Sequence, residues 1–221
     1  PENPSYALRR IFPPKQDMEA YYDGYCNQGL WPLSHLVYTR PVFNLADWQA
    51  YQKVNRMFAD AILEEVGYRQ AFVWIQDFHL TLVAKYLKEA QRSNIITALF
   101  WHIPWPSPEV FTVCPQKKEI VEGLLAHDLL GFQTRYHCDS FLATVDKEGE
   151  SLVDRPKSSV TRNGHETLVR AFPISVDFPS ISSEAFKEDV QSRWENIRDH
   201  YSLGDKKLLI GKQLTQGLGA G

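Results

Sequence analysis

Two apolar, β-prone stretches that each end at polar side chains constrain this sequence most. Residues 71–75 lead directly into Gln76 and Asp77, and residues 95–101 lead into His102. In open α/β sheets, ligands bind in the crevice beyond the carboxyl ends of the strands, where the residues that follow each strand are presented. Asp77 and His102 are therefore the first candidates for a functional site.

Helical patterns alternate with these stretches along the chain. Between Asn44 and Gly67, apolar residues recur every three or four positions, with a capping side chain before them and a glycine after them. The other expected elements are strands at 71–75, 95–101 and 128–132, and helices at 80–91, 117–125 and 136–145. Strands that alternate with helices pair in parallel, because each helix forms a crossover. The predicted fold class is α/β, with a Rossmann-like, doubly wound, mostly parallel sheet that has helices on both faces.

The remaining segments carry weaker patterns. Residues 1–42 are rich in proline and aromatic residues without a sustained period, so we expect irregular but ordered structure. Residues 146–157 are charged and unpatterned. Asn163 and Gly164 separate two β-prone arms, which predicts a β-hairpin at 159–170 with a type I′ turn. Beyond the hairpin, the expected elements are a helix at 182–200, capped by Ser182 or Ser183, and a strand at 208–211.

Composition and charge exclude several classes of function. A net charge of −3 and a pI near 6.2 provide no basic surface for a nucleic-acid backbone. No apolar run approaches the ~20 residues that span a bilayer, and the N-terminus lacks the order of a signal peptide, so we expect a cytoplasmic protein without a membrane partner. The three cysteines show no C-x-x-C spacing, and P-loop, dinucleotide, esterase and zincin motifs are absent from the sequence. We therefore expect no cofactor and no catalytic metal.

Each candidate residue also has a structural explanation. Asp77 lies between a strand and a helix, so its carboxylate can cap that helix, a role that is compatible with ligand binding. His79 lies in the first helical turn, where a structural contact is the favoured explanation. His102 precedes an isoleucine–proline pair that presents the imidazole at the strand tip, which favours a functional role. The rings of Tyr22 and Trp31 could stack on a sugar, but from the residues alone core packing is the favoured explanation.

Five short motifs in a fixed order carry a resemblance to a known family. They are residues 21–33 (YYDGYCNQGLWPL), 76–79 (QDFH), 102–106 (HIPWP), 128–134 (DLLGFQT) and 171–174 (AFPI). Together they resemble the trehalose-6-phosphate synthases of glycosyltransferase family 20, and the similarity extends over residues 21–178. Several motifs of this length in family order and spacing form a specific signal.

The resemblance implies a retaining hexosyltransferase that moves glucose from a nucleotide sugar, typically UDP-glucose, to glucose 6-phosphate without an obligatory metal. Matched position by position, Tyr22 and Trp31 would contact the acceptor sugar phosphate, Asp77 would bind acceptor hydroxyls, and His102 would lie beside the transferred glucose. A carboxylate can orient an attacking hydroxyl, and a neutral imidazole can hydrogen-bond a donor hydroxyl. No carboxylate stands out as an enzymic nucleophile, which agrees with a front-face mechanism.

The sequence also departs from the family pattern. Nothing corresponds to the opening strand and glycine-rich loop, and only Lys212 is cationic where the family supplies an arginine and a lysine to the diphosphate. We therefore expect residues 1–178 to form an acceptor-side Rossmann-like domain, half of a two-domain architecture. Residues 179–221 would form a linking helix and the first strand of a truncated nucleotide-sugar domain.

These departures leave three hypotheses for what the chain does. The first is a portion of a trehalose-6-phosphate synthase that is inactive alone. The second is a related synthase with another acceptor, such as glucosylglycerol-phosphate synthase, because a few side chains decide acceptor choice. The third is a non-catalytic sugar-phosphate-binding or regulatory module. An exposed sheet edge in such a chain would favour self-association into homo-oligomers.

Overall fold

The computed structural model describes residues 6–148 and 150–206. The chain divides into two compact units, Pro1–Ile174 and Ser175–Gly221. The first unit is built on one six-stranded sheet with the strand order β1-β2-β3-β6-β5-β4. The strands are β1 (Ala71–Gln76), β2 (Ile95–Trp101), β3 (Leu129–Phe132), β4 (Leu152–Asp154), β5 (Ser159–Arg162) and β6 (His165–Ala171).

Four strands of this sheet run in parallel. β1 pairs with β2 from Ala71 opposite Ile95 to Gln76 opposite Phe100. β3 then pairs with β2 and β6 on its two sides, also in parallel. The carboxyl ends of these strands therefore meet at one edge of the sheet, as the alternating pattern predicts. The predicted class of fold, a mostly parallel sheet flanked by helices, is confirmed.

Helices precede and connect these strands. They are α3 (Leu45–Val66), α4 (Val83–Glu89), α5 (Pro108–Phe111), α6 (Lys117–Leu124) and α7 (Arg135–Glu148), and a short 3₁₀ turn, Phe78–Leu80, precedes α4. The longest, α3, begins where the Asn44 side chain accepts the N–H of Asp47 at 2.8 Å, and it ends at Gly67, whose φ of 55° suits glycine. Both predicted boundaries are confirmed, and the buried face of α3 includes Trp48, Tyr51 and Val54.

The expectation of irregular structure near the N-terminus is wrong for residues 15–35, which are helical. Helix α1 (Lys15–Met18) continues into a π-helix (Glu19–Leu30) and then into α2 (Trp31–His35). A π-helix has i→i+5 hydrogen bonds, so its buried residues do not recur at the spacing of an α-helix. Tyr21 and Cys26 are buried five positions apart, as are Tyr25 and Leu30. The buried residues of this segment therefore do recur regularly, but at a spacing of five, which is the period of neither an α-helix nor a strand.

The hairpin is confirmed, and a strand beside it was missed. β5 and β6 are antiparallel, and Asn163 and Gly164 between them have φ angles of 50° and 78°, which a type I′ turn requires. β4 lies within the segment that showed no pattern, and it pairs with β5 over only three residues, Leu152 to Asp154. A strand this short contributes too few residues to establish an alternation in sequence.

The described part of the second unit, residues 175–206, contains two helices where one was predicted. They are α8 (Phe178–Ala185) and α9 (Glu188–His200). Helix α8 begins earlier than expected, because the Asp177 side chain accepts the N–H of Ser180 at 3.1 Å and a proline occupies its first turn. The predicted caps at Ser182 and Ser183 are wrong, since both residues lie inside α8. The strand predicted at 208–211 lies outside the described residues.

Candidate functional site

The two side chains predicted first lie at the tips of neighbouring parallel strands and are joined directly. Asp77 follows β1, and its Oδ1 accepts the backbone N–H of His102 at 3.0 Å. The same oxygen accepts the N–H of Phe78 at 2.9 Å. The backbone N–H of Asp77 in turn donates to the carbonyl of Phe100 at 2.7 Å. The ends of β1 and β2 are therefore fixed to each other through one carboxylate oxygen.

Asp77 adopts a backbone conformation that is unusual for a residue with a side chain. Its φ and ψ are 69° and 177°, a region that is populated almost only by glycine. Residues in such regions cost about 1–3 kcal/mol each, and they cluster at functional sites. Asp77 also caps the 3₁₀ turn, so the capping explanation is correct, and it does not exclude a ligand role.

The imidazole of His102 is exposed and held on two sides. Its Nε2 lies 2.8 Å from Oε1 of Gln76, the last residue of β1. Its ring packs edge-on against Phe100, with centroids 4.7 Å apart. Gln76 was identified in the sequence only as the polar residue before Asp77. Parallel pairing of β1 with β2 is the signal that relates it to His102.

Tyr22 approaches the Asp77 turn through His79. The two rings are stacked, with centroids 5.5 Å apart and an angle of 12° between their planes. Tyr22 remains 36% exposed, which leaves it accessible to a ligand. Burial lowers the pKa of His79, and the nearby Asp77 carboxylate opposes that shift. A largely neutral ring at His79 therefore separates Tyr22 from Asp77.

Trp31 lies at the start of α2 and is half-buried. Its ring stacks on His35, with centroids 4.1 Å apart, and the His35 ring is within 2.9 Å of the Trp31 carbonyl. Among the described residues, no ring contact joins Trp31 to Tyr22 or to His79. The structure thus brings Asp77, His102 and Tyr22 into one region, and it places Trp31 in a separate contact.

Helix α3 holds the turn after β1 through two buried polar side chains that the sequence reading missed. The Tyr51 hydroxyl donates to the carbonyl of Phe78 at 2.7 Å. The Asn55 amide donates to the carbonyl of His79 at 3.0 Å, and its Oδ1 accepts the N–H of Leu82 at 3.0 Å. Both side chains are completely buried. A polar residue on the apolar face of a helix was the available signal, because buried polar groups need partners.

The three cysteines are free and buried. Burial raises the pKa of Cys26, and the Asp77 carboxylate raises it further. Burial likewise raises the pKa of Cys114 and of Cys138 to about 11. A thiol in this state carries almost no thiolate at neutral pH, so these residues are unsuited to nucleophilic catalysis.

An open apolar cavity of about 500 Å³ lies on the sheet face beside His102. Its floor includes Phe72 and Trp74 of β1, which are 63% and 65% exposed. Leu129 and Phe172 extend the same surface across the sheet. Within the described residues of the first unit, 6–148 and 150–174, no helix covers these rings. Parallel sheets are ordinarily buried on both faces, so this surface is an unusually large exposed apolar area.

Neither a metal-holding cluster nor a membrane-spanning helix occurs in the part of the chain that the structure describes. No group of three or more histidine, cysteine or acidic side chains is arranged to hold a metal ion there. No helix of that part is long and apolar enough to cross a membrane.

The fold and the site define an α/β protein with a mostly parallel sheet and a polar site beyond the carboxyl ends of its strands. Residues 3–217 match the family model described as glycosyltransferase family 20. The chain belongs to glycosyltransferase family 20. The resemblance noted from five sequence motifs is thereby confirmed.

Individual relatives agree with the family assignment. A trehalose-6-phosphate synthase of Mycobacterium sp. (strain JLS) is 36% identical over 203 residues, which cover 88% of this chain and 41% of the relative. The trehalose-6-phosphate synthase of Mycobacterium leprae is 35% identical over 203 residues, which cover 88% of this chain and 40% of that protein. The chain thus spans about 41% of the length of the first of these relatives.

Two solved structures share the fold. One, from E. coli and bound with UDP-2-fluoro glucose, superposes with a TM-score of 0.76 at 28% identity and covers 86% of this chain and 41% of its own. The other is an α,α-trehalose-phosphate synthase from Burkholderia xenovorans in complex with glucose-6-phosphate. It superposes with a TM-score of 0.73 at 26% identity and covers 83% of this chain and 42% of its own.

Proposed function

We propose that this chain is the acceptor-side portion of a retaining trehalose-6-phosphate synthase, which transfers glucose from UDP-glucose to glucose 6-phosphate. The observation that carries the proposal is the junction of Asp77 and His102 at the tips of β1 and β2, with Tyr22 nearby. Family membership and the substrates named for related proteins support it. Residues 1–178 would form the acceptor-binding domain, and residues 179–221 would begin the second domain.

The acceptor would be bound by Asp77 and by aromatic rings. Oδ1 of Asp77 is occupied by two backbone N–H groups, whereas none of the hydrogen bonds among the described residues uses Oδ2. An acceptor hydroxyl can therefore donate to Oδ2, which orients its oxygen for attack. Tyr22, which stacks on His79, offers an exposed face and a hydroxyl, and Trp31 is the second proposed acceptor contact.

The donor glucose would lie on the His102 side of the junction. An imidazole can hydrogen-bond a sugar hydroxyl without carrying charge. In a front-face reaction, the departing diphosphate takes the proton of the attacking hydroxyl, so neither an enzymic nucleophile nor a metal is needed. Cationic groups must stabilise that diphosphate, and each such contact is worth about 1.5–3 kcal/mol. This chain supplies few such cationic groups, so we expect it to be inactive alone.

The decisive experiment is calorimetric titration of the purified chain with glucose 6-phosphate. We expect binding to wild type and at least tenfold weaker binding to Asp77→Asn, because a hydrogen bond to a charged group is lost. Asp128→Asn is the matched control. Asp128 accepts the N–H of Thr97 at 2.7 Å, but at the amino ends of the strands, away from the proposed site.

Other outcomes would redirect or reject the proposal. Tighter binding of glycerol 3-phosphate than of glucose 6-phosphate would favour a glucosylglycerol-phosphate synthase. A change in the activity of a full-length synthase on mixing with the chain would favour a regulatory module. Failure of wild type to bind glucose 6-phosphate, or equal binding by Asp77→Asn, would reject the proposed acceptor site. Robust transfer from UDP-glucose by the chain alone would contradict its expected inactivity.

The proposal includes a cellular location. The chain would act in the cytoplasm, and three buried free cysteines support this, because a reducing compartment keeps thiols unpaired.

A further inference from the structure

Gln76 is placed so that it can hold the ring of His102. Gln76 ends β1, and His102 follows the end of β2, the adjacent parallel strand. Oε1 of Gln76 lies 2.8 Å from Nε2 of His102. The backbone of His102 is independently fixed by Asp77. The main chain and the ring of His102 are thus held by two consecutive residues, the last residue of the neighbouring strand and the one that follows it.

The chemistry of this contact determines which ring nitrogen carries the proton in the neutral imidazole. An amide oxygen has lone pairs and no proton, so Nε2 of His102 must be the donor. In a neutral imidazole, the other nitrogen then carries the lone pair. No hydrogen bond among the described residues uses Nδ1 of His102. Nδ1 is therefore available as an acceptor.

We propose that Gln76 is a positioning residue that holds His102 as the Nε2–H tautomer, so that Nδ1 accepts a hydrogen bond from a substrate hydroxyl. A lone pair attracts a neutral hydroxyl and repels a phosphate oxygen, so this arrangement selects a sugar hydroxyl over an anionic group. In this arrangement Nδ1 of His102 contacts the sugar, whereas Gln76 does not contact it. This assignment of the hydroxyl rests on the proposed function, whereas the control of the ring by Gln76 does not.

The test is an NMR measurement on the 221-residue chain labelled with ¹⁵N at the histidine side chains. Long-range ¹H–¹⁵N spectra at mildly alkaline pH identify which ring nitrogen carries the proton, and loss of signals in His102→Asn assigns the His102 ring. We expect wild type to show only the Nε2–H form. Gln76→Met has a similar reach but no acceptor. In that variant we expect both tautomers to be populated, so that the two ring nitrogen shifts move towards each other.

Two further variants make the test specific. Gln76→Glu keeps an oxygen acceptor at the same reach and should retain the wild-type pattern. Gln70→Met makes the same exchange just before β1, roughly 20 Å away for six residues of strand, and should leave His102 unchanged. The signals of the buried His127 report whether each variant is folded. A proton on Nδ1 of His102 in wild type, or unchanged shifts in Gln76→Met, would overturn the proposal.

The tautomer experiment needs no substrate, so its result is separate from that of the sugar-binding experiment. The expected tautomers without any binding of glucose 6-phosphate would uphold positioning by Gln76 and reject the proposed function. The Nδ1–H tautomer in wild type together with normal glucose 6-phosphate binding would reject positioning by Gln76 and uphold the proposed function.

Discussion

One carboxylate oxygen of Asp77 accepts the backbone N–H of His102 at 3.0 Å and thereby joins two strand tips. Asp77 itself carries the backbone strain that accompanies this contact, because its φ is 69°. Glycine would adopt this backbone without strain, but it would lose the carboxylate. The strain and the contact are therefore separable by substitution.

Asp77→Ala and Asp77→Gly should differ in stability although both remove the carboxylate. Alanine loses two hydrogen bonds and keeps the strained backbone, whereas glycine loses the bonds and relieves the strain. We expect Asp77→Gly to be the more stable of the two by about 1 kcal/mol, after allowance for the flexibility of glycine in the unfolded chain. Urea unfolding at 25 °C measures the difference. Equal stabilities would show that this conformation carries no strain.

Tyr51→Phe should weaken the turn from which Asp77 projects. The Tyr51 hydroxyl donates to the Phe78 carbonyl in a fully buried setting, so its removal leaves polar groups unsatisfied. We expect a loss of about 1–3 kcal/mol in unfolding free energy, accompanied by weaker glucose 6-phosphate binding. Tyr86→Phe is the control, since no hydrogen bond of its hydroxyl occurs among the described residues. The prediction fails if the two variants unfold at the same urea concentration.

His127 should make stability depend on pH. Burial lowers its pKa from 6.5 to about 4. The unfolded chain therefore binds a proton more readily than the folded one between these values, and stability rises with pH across that interval. The stabilisation is fully present above pH 6.5 and is lost as the pH falls towards 4. The pKa difference corresponds to about 3 kcal/mol.

Urea unfolding at pH 4, 5, 6 and 7 measures this dependence. His127→Leu should have a shallower profile, because it removes the titrating group but keeps an apolar side chain in the site. His165→Gln is the comparison, since His165 is only half-buried and its ring contacts the His127 carbonyl. An unchanged slope in His127→Leu would assign the pH dependence to other groups.

Gly123 should not tolerate a larger side chain. A Cβ at this position would lie 2.5 Å from the carbonyl oxygen of Thr81 and 2.8 Å from a methyl carbon of Leu82, so α6 would have to move away from the turn before α4. Overpacking of this kind costs about 1–3 kcal/mol. Lys118→Ala, at an exposed position of the same helix, is the control. Thermal unfolding that leaves Gly123→Ala unchanged would contradict the close approach.

The sequence predicted those parts of the fold that follow a common period. Residues 71–77 and 95–102 were recognisable because each strand is continuous and ends at a polar residue, and parallel pairing brings such ends together. Helix α3 was recognisable from its cap, its apolar face and its terminal Gly67. The π-helix was not recognised, since five-residue spacing is not the period of an α-helix or a strand.

The contacts of the site that were not predicted from the sequence were missed for a different reason. The contact of Gln76 with His102 depends on strand register, which the sequence leaves undetermined. The roles of Tyr51 and Asn55 depend on which loop lies over α3. Tertiary placement decides such contacts, whereas the local pattern shows only that a polar residue is present. The roles predicted for Tyr22, Trp31, Asp77 and His102 stay predictions, and Asp77→Asn tests the role of Asp77.

The uncovered sheet face affects how the protein responds to heat and denaturant. Phe72 and Trp74 are already largely in contact with water in the folded chain. Unfolding therefore exposes less new apolar surface than it does in a fully covered sheet of this size. The heat capacity change of unfolding should therefore be slightly smaller than that of a chain of the same length whose sheet is covered on both faces, and the urea m-value should be slightly smaller as well. The curve of stability against temperature would then be slightly flatter.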